Sequence, residues 1–552
     1  MTHQQATTVA DVMAQAFVAE GVSQAFALLG DGNMHFAAAL EAQGCQFTYA
    51  RHEHCAVSMA MAYARVSGQT GVASVTCGPG LTQIMTALVA AVRAKIPMVI
   101  LAGEAPLGLP WYNQELDQAP FVTACGASYL SVHDQRQLLP VLTRAFSQAQ
   151  SQACPVVVGV PFDVQEAPWQ LNARYVPTAT WPALAQRVAP HPEAVTNAVA
   201  VIEQAQRIIV LGGRGVVQAG AQAQCLELAQ RLDALLASTL PARGLFADDP
   251  FNLNVAGGFS SDAAKRYFGQ ADLVIAVGSR LASHASDAGR LYAQSRVLHI
   301  DLSPAVLSQG RMVAQNHLRG DARLCVQALL DQLPAARSSH WRSEATRHDI
   351  ANSPLDPQGP VPSDGRLDPR AVVAALDQVL PKAWMMVNSS GHCSYYPTHM
   401  HGRAVEQFLT IREFGAIGNG LSYAIGAAVA RPDVPVVLFD GDGSFLMHVQ
   451  ELETIRRHGL KILICVLNDG GYGSEVHKLR ADGVSQSGAF FGHDDLAALS
   501  RGFGLDAHRV ADLSTLSDHM AAFVQAGAGA MVLDFHVSDQ VQSPVMRRIT
   551  QH

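Results

Sequence analysis

Residues 434–469 read VPVVLFDGDGSFLMHVQELETIRRHGLKILICVLND, a stretch with the parts of a metal and anion site. VPVVLF is an apolar, β-branched run of strand length, and KILICVL is a second. Between them Phe445, Val449, Leu452 and Ile455 recur at helical spacing, and Gly459 supplies a helix stop. Strand, turn, one helix and strand predict a parallel pair with a right-handed crossover. Asp442 then falls just past the first strand and Asp469 just past the second. Both lie on the carboxyl edge of the sheet, where open α/β folds bind ligands. Two carboxylates converging there repel each other unless a cation sits between them. Mg²⁺ suits the place, because it takes oxygen ligands from one or two carboxylates together with phosphates. Gly441 and Gly443 let a phosphate approach the backbone, and a helix starting near Ser444 offers free N–H groups and a positive dipole end. Asp-Gly is also a hairpin signal, but the helical period after it argues against a hairpin.

A second Gly-Asp-Gly lies at 30–32, inside ALLGDGNMHF, with no matching partner acid downstream. The elements around the two copies follow from the rest of the chain. At 552 residues it is too long for one core, and roughly three domains are expected. Residues 1–175 alternate helical and strand patterns, with VADVMAQAFVAEGV as an amphipathic helix and QAFALL, QFTYA, GVASVT, IPMVILAG and PVVVGVP as strands. Residues 190–337 form a second α/β unit with RIIVLGGRGV, ALLASTL, LVIAVGSRL and RVLHIDLSP. The polar, Pro- and Ser-rich stretch 338–366 reads as a linker, and 367–552 as a third α/β unit. Short apolar runs between helices predict doubly wound parallel sheets in all three.

Composition narrows the function classes. Hydrophobic residues are 49% and charged residues 15%, as in ordinary globular domains. A net charge of −8 without a Lys/Arg block argues against a nucleic-acid partner. Nine scattered cysteines without a C-x-x-C pair read as reduced thiols, and no signal peptide or membrane-spanning run is evident. A cytoplasmic protein is the expectation.

Gly-Asp-Gly-Ser, a helix, an apolar strand and then Asn468-Asp469 resemble the thiamin-diphosphate motif of the acetolactate synthase, pyruvate decarboxylase and benzoylformate decarboxylase family. YARHEHCAVSMAMAYARVSG at 49–68, TCGPGLTQIMTALVAA at 76–91 and FGAIGNGLSYAIGAAVARPD at 414–433 resemble further family segments in the family order. The resemblance implies a pyrimidine-binding, a central and a diphosphate-binding domain. It implies that Asp442 and Asp469 ligate Mg²⁺ through their side chains and Gly471 through its carbonyl. Many relatives have Asn at the position of Asp469, and the extra charge here would tighten the metal site.

The same resemblance assigns the remaining roles. Glu53 maps to the glutamate that bonds the aminopyrimidine ring and promotes proton loss from the reactive carbon. Ile417, beside Gly415 in GAIGNG, occupies the place of the bulky residue that bends the cofactor. Gly391 and His392, in NSSGHC, resemble the loop that touches the diphosphate, and Asn468 and Tyr472 flank the second metal ligand. Asp31 aligns with the catalytic aspartate of pyruvate decarboxylases, and Glu475 with their glutamate at the reaction centre. Either acid becomes a proton donor if burial raises its pKa. Asp31 reads equally as a turn aspartate and Glu475 as an exposed helix acid.

The adjacent histidine pair of pyruvate decarboxylases is missing, and Gln114-Glu115 in WYNQELDQAP is closer to acetolactate synthases. His35, His54 and His477 lie near the motifs, where a histidine could serve proton transfer, but they read first as structural or surface histidines. The activity implied is decarboxylation of a 2-oxo acid, followed by protonation to an aldehyde or ligation to a second carbonyl. An acyloin or diketone lyase or hydrolase is the alternative, and a non-catalytic nucleotide-binding regulator is a third reading. The glycine turns GGRGV and VGSRL suit a nucleotide, and some relatives bind FAD there, but a lone glycine-rich turn is a weak signal. The family arrangement also implies a homodimer at least, commonly a homotetramer, with each site shared between subunits. The two Gly-Asp-Gly copies would then meet at opposite ends of one cofactor.

Overall fold

The apolar runs of the sequence become the central strands of three sheets. The computed structural model describes residues 7–181, 186–334, 336, 338–354, 356 and 359–550. The first sheet holds β1 (Gln24–Ala27), β2 (Gln46–Tyr49), β3 (Gly71–Val75), β4 (Met98–Glu104), β5 (Ser128–Ser131) and β6 (Pro155–Pro161), in the order β2-β1-β3-β4-β6-β5. The second holds β7 (Ile208–Gly212), β8 (Leu235–Ser238), β9 (Asn252–Val255), β10 (Leu273–Val277) and β11 (Arg296–Asp301). A small antiparallel pair, β12 (Leu307–Ser308) and β13 (Arg311–Met312), precedes its last strand, β14 (Asn316–Arg319), and the order is β14-β11-β10-β7-β8-β9. The third holds β15 (Met385–Asn388), β16 (Phe408–Thr410), β17 (Val436–Gly441), β18 (Ile462–Asn468), β19 (Asp506–Arg509) and β20 (Met531–His536), in the order β16-β15-β17-β18-β20-β19.

All pairings inside the three six-stranded sheets are parallel, as the fold class requires. Counted within each sheet, the first and third share one strand order. The central sheet follows the other doubly wound order, reversing between β7 and β10.

The first and third units are packed into one core. Helix Glu53–Ser67 is buried on every face from His54 to Ala64, because β3 and its neighbours cover one side and helix Gly420–Ala430 covers the other. A Cβ on Gly426 would lie 2.1 Å from the Met59 carbonyl, so only glycine permits this approach. Met59, Ala62, Ile425 and Ala427 belong to a single apolar cluster that spans both sheets.

Two expectations are corrected. The single helix after Asp442 is two short ones, Asp442–Met447 and Glu451–Arg457. His448 leaves the helical region, and its Nδ1 bonds the Gly418 carbonyl at 2.8 Å. Phe445, Leu452 and Ile455 still enter the shared core, so the apolar period reads through the break. The stretch 338–366 is not plain linker, because it carries helix Glu344–Asn352. Before that helix, Asp233 accepts from the backbone N–H groups of Ser339 and Trp341, and Arg342 pairs with Asp249 at 2.6 Å. Among the described residues no helix is long and apolar enough to cross a membrane.

Candidate active site

β17 and β18 run side by side, with Gly441 opposite Leu467. Their ends therefore bring Asp442 and Asp469 together on the carboxyl edge. Asp442 is buried, and its Oδ2 accepts from the Gly470 N–H at 2.8 Å. Burial pushes both carboxyls up, and the nearby charge of Asp442 further opposes ionisation of Asp469. A divalent cation relieves both effects. The Gly470 carbonyl accepts from the Phe491 and Gly492 N–H groups at 2.9 Å each, and Tyr472 N–H donates to Ala489 O at 2.8 Å. The Gly471 carbonyl between them takes no hydrogen bond among the described residues, so two carboxylates and one carbonyl are available, the hard oxygen set that Mg²⁺ prefers.

Around this pair the backbone is drawn in closely. A Cβ on Gly443 would lie 2.7 Å from the Tyr472 ring, and one on Gly441 would lie 3.3 Å from Cys393 Sγ. A Cβ on Gly473 would meet Asp469 Oδ2 at 2.3 Å and His392 Nδ1 at 3.4 Å. His392 Nε2 accepts from the Ser543 N–H at 3.1 Å, which leaves the proton of the neutral ring on Nδ1. Burial lowers its pKa to about 3, so the ring is neutral at ordinary pH. Ser444 Oγ lies 2.9 Å from Ser389 Oγ and accepts from Gly418 N–H at 2.9 Å, fastening the 415–420 turn to the 441–444 turn. Gly415 and Gly418 have φ of +78° and +89°, and Ile417 stands half-buried between them, facing Gly391. The helix after Asp442 is only six residues long, so the dipole expected there shrinks to a few free N–H groups.

The first sheet gathers a second set. After β3 the turn Thr76–Gly80 carries Gly78 at φ +56°, where a Cβ would lie 2.2 Å from the Gln114 carbonyl. Gln114 Oε1 lies 3.6 Å from Cys77 Sγ. Asp31 is exposed and accepts from Tyr112 OH at 3.1 Å, while the next residue, Gly32, donates its N–H to Thr76 Oγ1 at 3.1 Å. Glu53 opens its helix half-buried, 3.5 Å from the place of a Cβ on Gly80, and burial raises its pKa. Asp31, Gln114 and Glu53 thus surround one turn.

No hydrogen bond or ion pair among the described residues joins these three to Asp442 or Asp469. The halves meet elsewhere: His54 Nε2 lies 2.5 Å from Asn419 Oδ1, and Arg51 N–H donates to Glu451 Oε1 at 2.9 Å. Asn468 is turned away from the Asp442–Asp469 pair, because its amide donates to Asp534 Oδ1 and Asp494 O at 3.0 Å each. Glu475 is exposed and pairs with Lys478 at 3.3 Å. His35 pairs with Glu166 on the surface, and His477 is buried against the His392 ring, with centroids 4.8 Å apart. Tyr472 is partly exposed and packs edge-on against Phe491.

Sequence reasoning passed over Gln118, Tyr129, Ser389 and Cys393. Buried Gln118 accepts from Gly78 N–H at 3.1 Å and donates to Gly103 O and Tyr129 OH at 2.9 Å each, holding the turn in place. Only its nearness to Gln114 in QELDQ could have drawn notice. In the central sheet the two glycine turns abut where the strand order reverses. A Cβ on Gly213 would lie 2.2 Å from the Gly278 carbonyl, so packing of turn on turn accounts for these glycines.

Three family models match in order along the chain. They are the N-terminal TPP binding domain of thiamine pyrophosphate enzymes over residues 7–121, the central domain over 195–329 and the C-terminal TPP binding domain over 390–535. A probable acetolactate synthase large subunit of Methanococcus aeolicus is 26% identical over 550 residues, covering 96% of this chain and 92% of its own. An acetolactate synthase of Arthrospira platensis is 30% identical over 518 residues, covering 88% and 86%. The acetolactate synthase isozyme 2 large subunit of Escherichia coli K12 is 30% identical over 459 residues, covering 82% and 81%. With all three domains present in order on three parallel sheets, the chain belongs to the thiamin-diphosphate enzyme family of these acetolactate synthases.

Proposed function

We propose that this chain is a thiamin-diphosphate- and Mg²⁺-dependent enzyme that decarboxylates a 2-oxo acid and ligates the remaining fragment to a second carbonyl compound. The observation that carries the reading is the pair of buried Asp442 and half-buried Asp469 beside the Gly471 carbonyl, which takes no hydrogen bond among the described residues. The names of the relatives, and Gln114 beside the Gly78 turn, favour ligation over simple release of an aldehyde. When bound, thiamin diphosphate supplies the nucleophilic carbon and the electron sink that such cleavage needs.

In this reading Asp442, Asp469 and the Gly471 carbonyl hold Mg²⁺. Gly441, Gly443, Ser444, Gly391 and His392 receive the diphosphate, with His392 donating from Nδ1. Ile417, between Gly415 and Gly418, supports the bend of the cofactor. Glu53, whose pKa burial raises, would hydrogen-bond the aminopyrimidine ring and serve it as a proton-exchange partner. Asp31 and Gln114 face the substrate, and Glu475 is a further proton-transfer candidate. Asn468 and Tyr472 frame the metal segment. Because no hydrogen bond or ion pair joins the two sets among the described residues of one chain, the working site is read as forming between two copies, in a homodimer or larger. The domains divide at 1–175, 190–337 and 367–552.

The test is incubation of the protein with thiamin diphosphate, Mg²⁺ and a panel of 2-oxo acids that includes pyruvate and benzoylformate. CO₂ release with acyloin or acetohydroxy-acid formation is the expected result. Absence of both CO₂ and ligated product across the panel would overturn the reading.

A further inference from the structure

Behind the carboxyl edge, where the central unit meets the third, positive charge is buried with too little to balance it. Arg243 follows β8 and is buried, as is Arg403 in the 401–404 turn. Their backbone segments are pressed together, since a Cβ on Gly244 would lie 2.6 Å from the Arg403 carbonyl, and the Arg403 charge acts on Arg243. Arg403 Nη1 donates to Asp377 and its Nη2 to Leu380 O at 3.2 Å, while Lys382 Nζ takes the same Asp377 at 2.8 Å. Arg243 has no carboxylate partner among the described residues. Its Nη1 donates to Pro397 O at 2.9 Å, and its guanidinium lies 3.5 Å above the Phe408 ring.

Four buried nitrogens here have no protein partner among the described residues: Arg243 Nε and Nη2, Arg403 Nε and His399 Nε2. Asp377 is thus the carboxylate for two arginines and a lysine. His401 lies beside it, and Lys265 pairs with Asp262 at 3.0 Å on the far side. Burial and the Arg403 charge lower the Arg243 pKa to about 9, which leaves it charged at neutral pH. A buried guanidinium without a counter-charge is costly, and a cation–π contact offsets only part of that cost. Neutral partners can satisfy the donors but not the charge.

We infer that this junction binds a small inorganic anion, of the halide or phosphate class, between Arg243 and Arg403. Such an anion would tie the 240–244 segment of the central unit to the 397–404 segment of the third, away from Asp442 and Asp469.

The cofactor-loaded enzyme would be melted at fixed ionic strength in sodium gluconate, with chloride or inorganic phosphate titrated in. A saturable rise in Tm is expected with one of them, identifying the class, and Arg243→Met should abolish it. Equal Tm in all three salts, or a response of full size in Arg243→Met, would overturn the inference. If that variant does not fold, crystals of the unchanged protein soaked in bromide or phosphate decide. A bromide anomalous peak or phosphate density between the two guanidinium groups supports the site, and neither overturns it.

Discussion

Gly30-Asp31-Gly32 and Gly441-Asp442-Gly443 are the same three residues in two sheets of the same strand order, yet they follow strands that do not correspond. The second copy ends β17, the third strand of its sheet, whose counterpart in the first sheet is β3 with the turn Thr76–Gly80. The first copy follows β1, whose counterpart is β15, followed by Ser389–His392. The shared tripeptide is therefore no relic of a duplicated turn. What differs is the neighbourhood. Asp442 is buried beside a second acid, whereas Asp31 is exposed with a tyrosine hydroxyl on it. The same residues thus contribute the buried member of an acid pair in one place and form part of an exposed loop in the other.

The most severe test of that contrast is a pair of amide variants. Asp442→Asn is expected to weaken Mg²⁺-dependent thiamin diphosphate binding by more than about 100-fold. Asp31→Asn should leave binding unchanged and act on kcat. Calorimetric titration of both variants reads this directly, and equal losses would erase the distinction. Next in size, Glu53→Gln should retain the cofactor while kcat falls by roughly 10²–10⁴-fold. Full turnover in that variant would remove Glu53 from its role.

Glycine variants probe the corresponding turns themselves. Gly78→Ala meets the Gln114 backbone at a positive φ, so a loss of roughly 1–3 kcal/mol is expected in urea unfolding. Gly443→Ala meets side chains rather than backbone, chiefly Tyr472, which can swing away at about 0.5–1.5 kcal/mol. The reverse ranking would mean that the third-sheet turn is the more rigid one.

A last, pH-dependent effect concerns the seam between the two halves. Burial lowers the His54 pKa to about 4, from 6.5 in the unfolded chain. The unfolded chain therefore takes up the proton first as the pH falls. Stability is fully present above pH 6.5 and is lost towards pH 4, by up to about 1.4 kcal/mol per pH unit. His392 and His477 titrate low for the same reason, so only the difference from His54→Gln isolates the seam. That variant should show a shallower acid limb, and an unchanged limb would mean that His54 is not the sensitive group.

Much of this was legible in the sequence where long-range contact matters least. β3, β4, β6, β17 and β18 are mostly apolar because both faces are covered, and their runs stand out. β5, β9, β14, β16 and β19 are short strands at or near the sheet edges, several of them polar, and no run marked them. The convergence of Asp442 and Asp469 followed from strand ends alone. The break at His448 did not, because it depends on a carbonyl thirty residues upstream. Nor did the inward turn of Asn468, since Asp534 lies on a strand 66 residues away. Gln118 and Ser389 escaped for the same reason, being ordinary polar residues until the fold brings Gly78 and Ser444 to them.

The glycine at 426 has a wider consequence. By letting helix Gly420–Ala430 lie directly on helix Glu53–Ser67, it merges the first and last parts of the chain into one cooperative body, while the middle unit keeps clusters of its own. Calorimetry should then resolve the middle as a separate transition and the two ends as one. Neither end is a module that could be transplanted alone: each would carry a helix stripped of its cover.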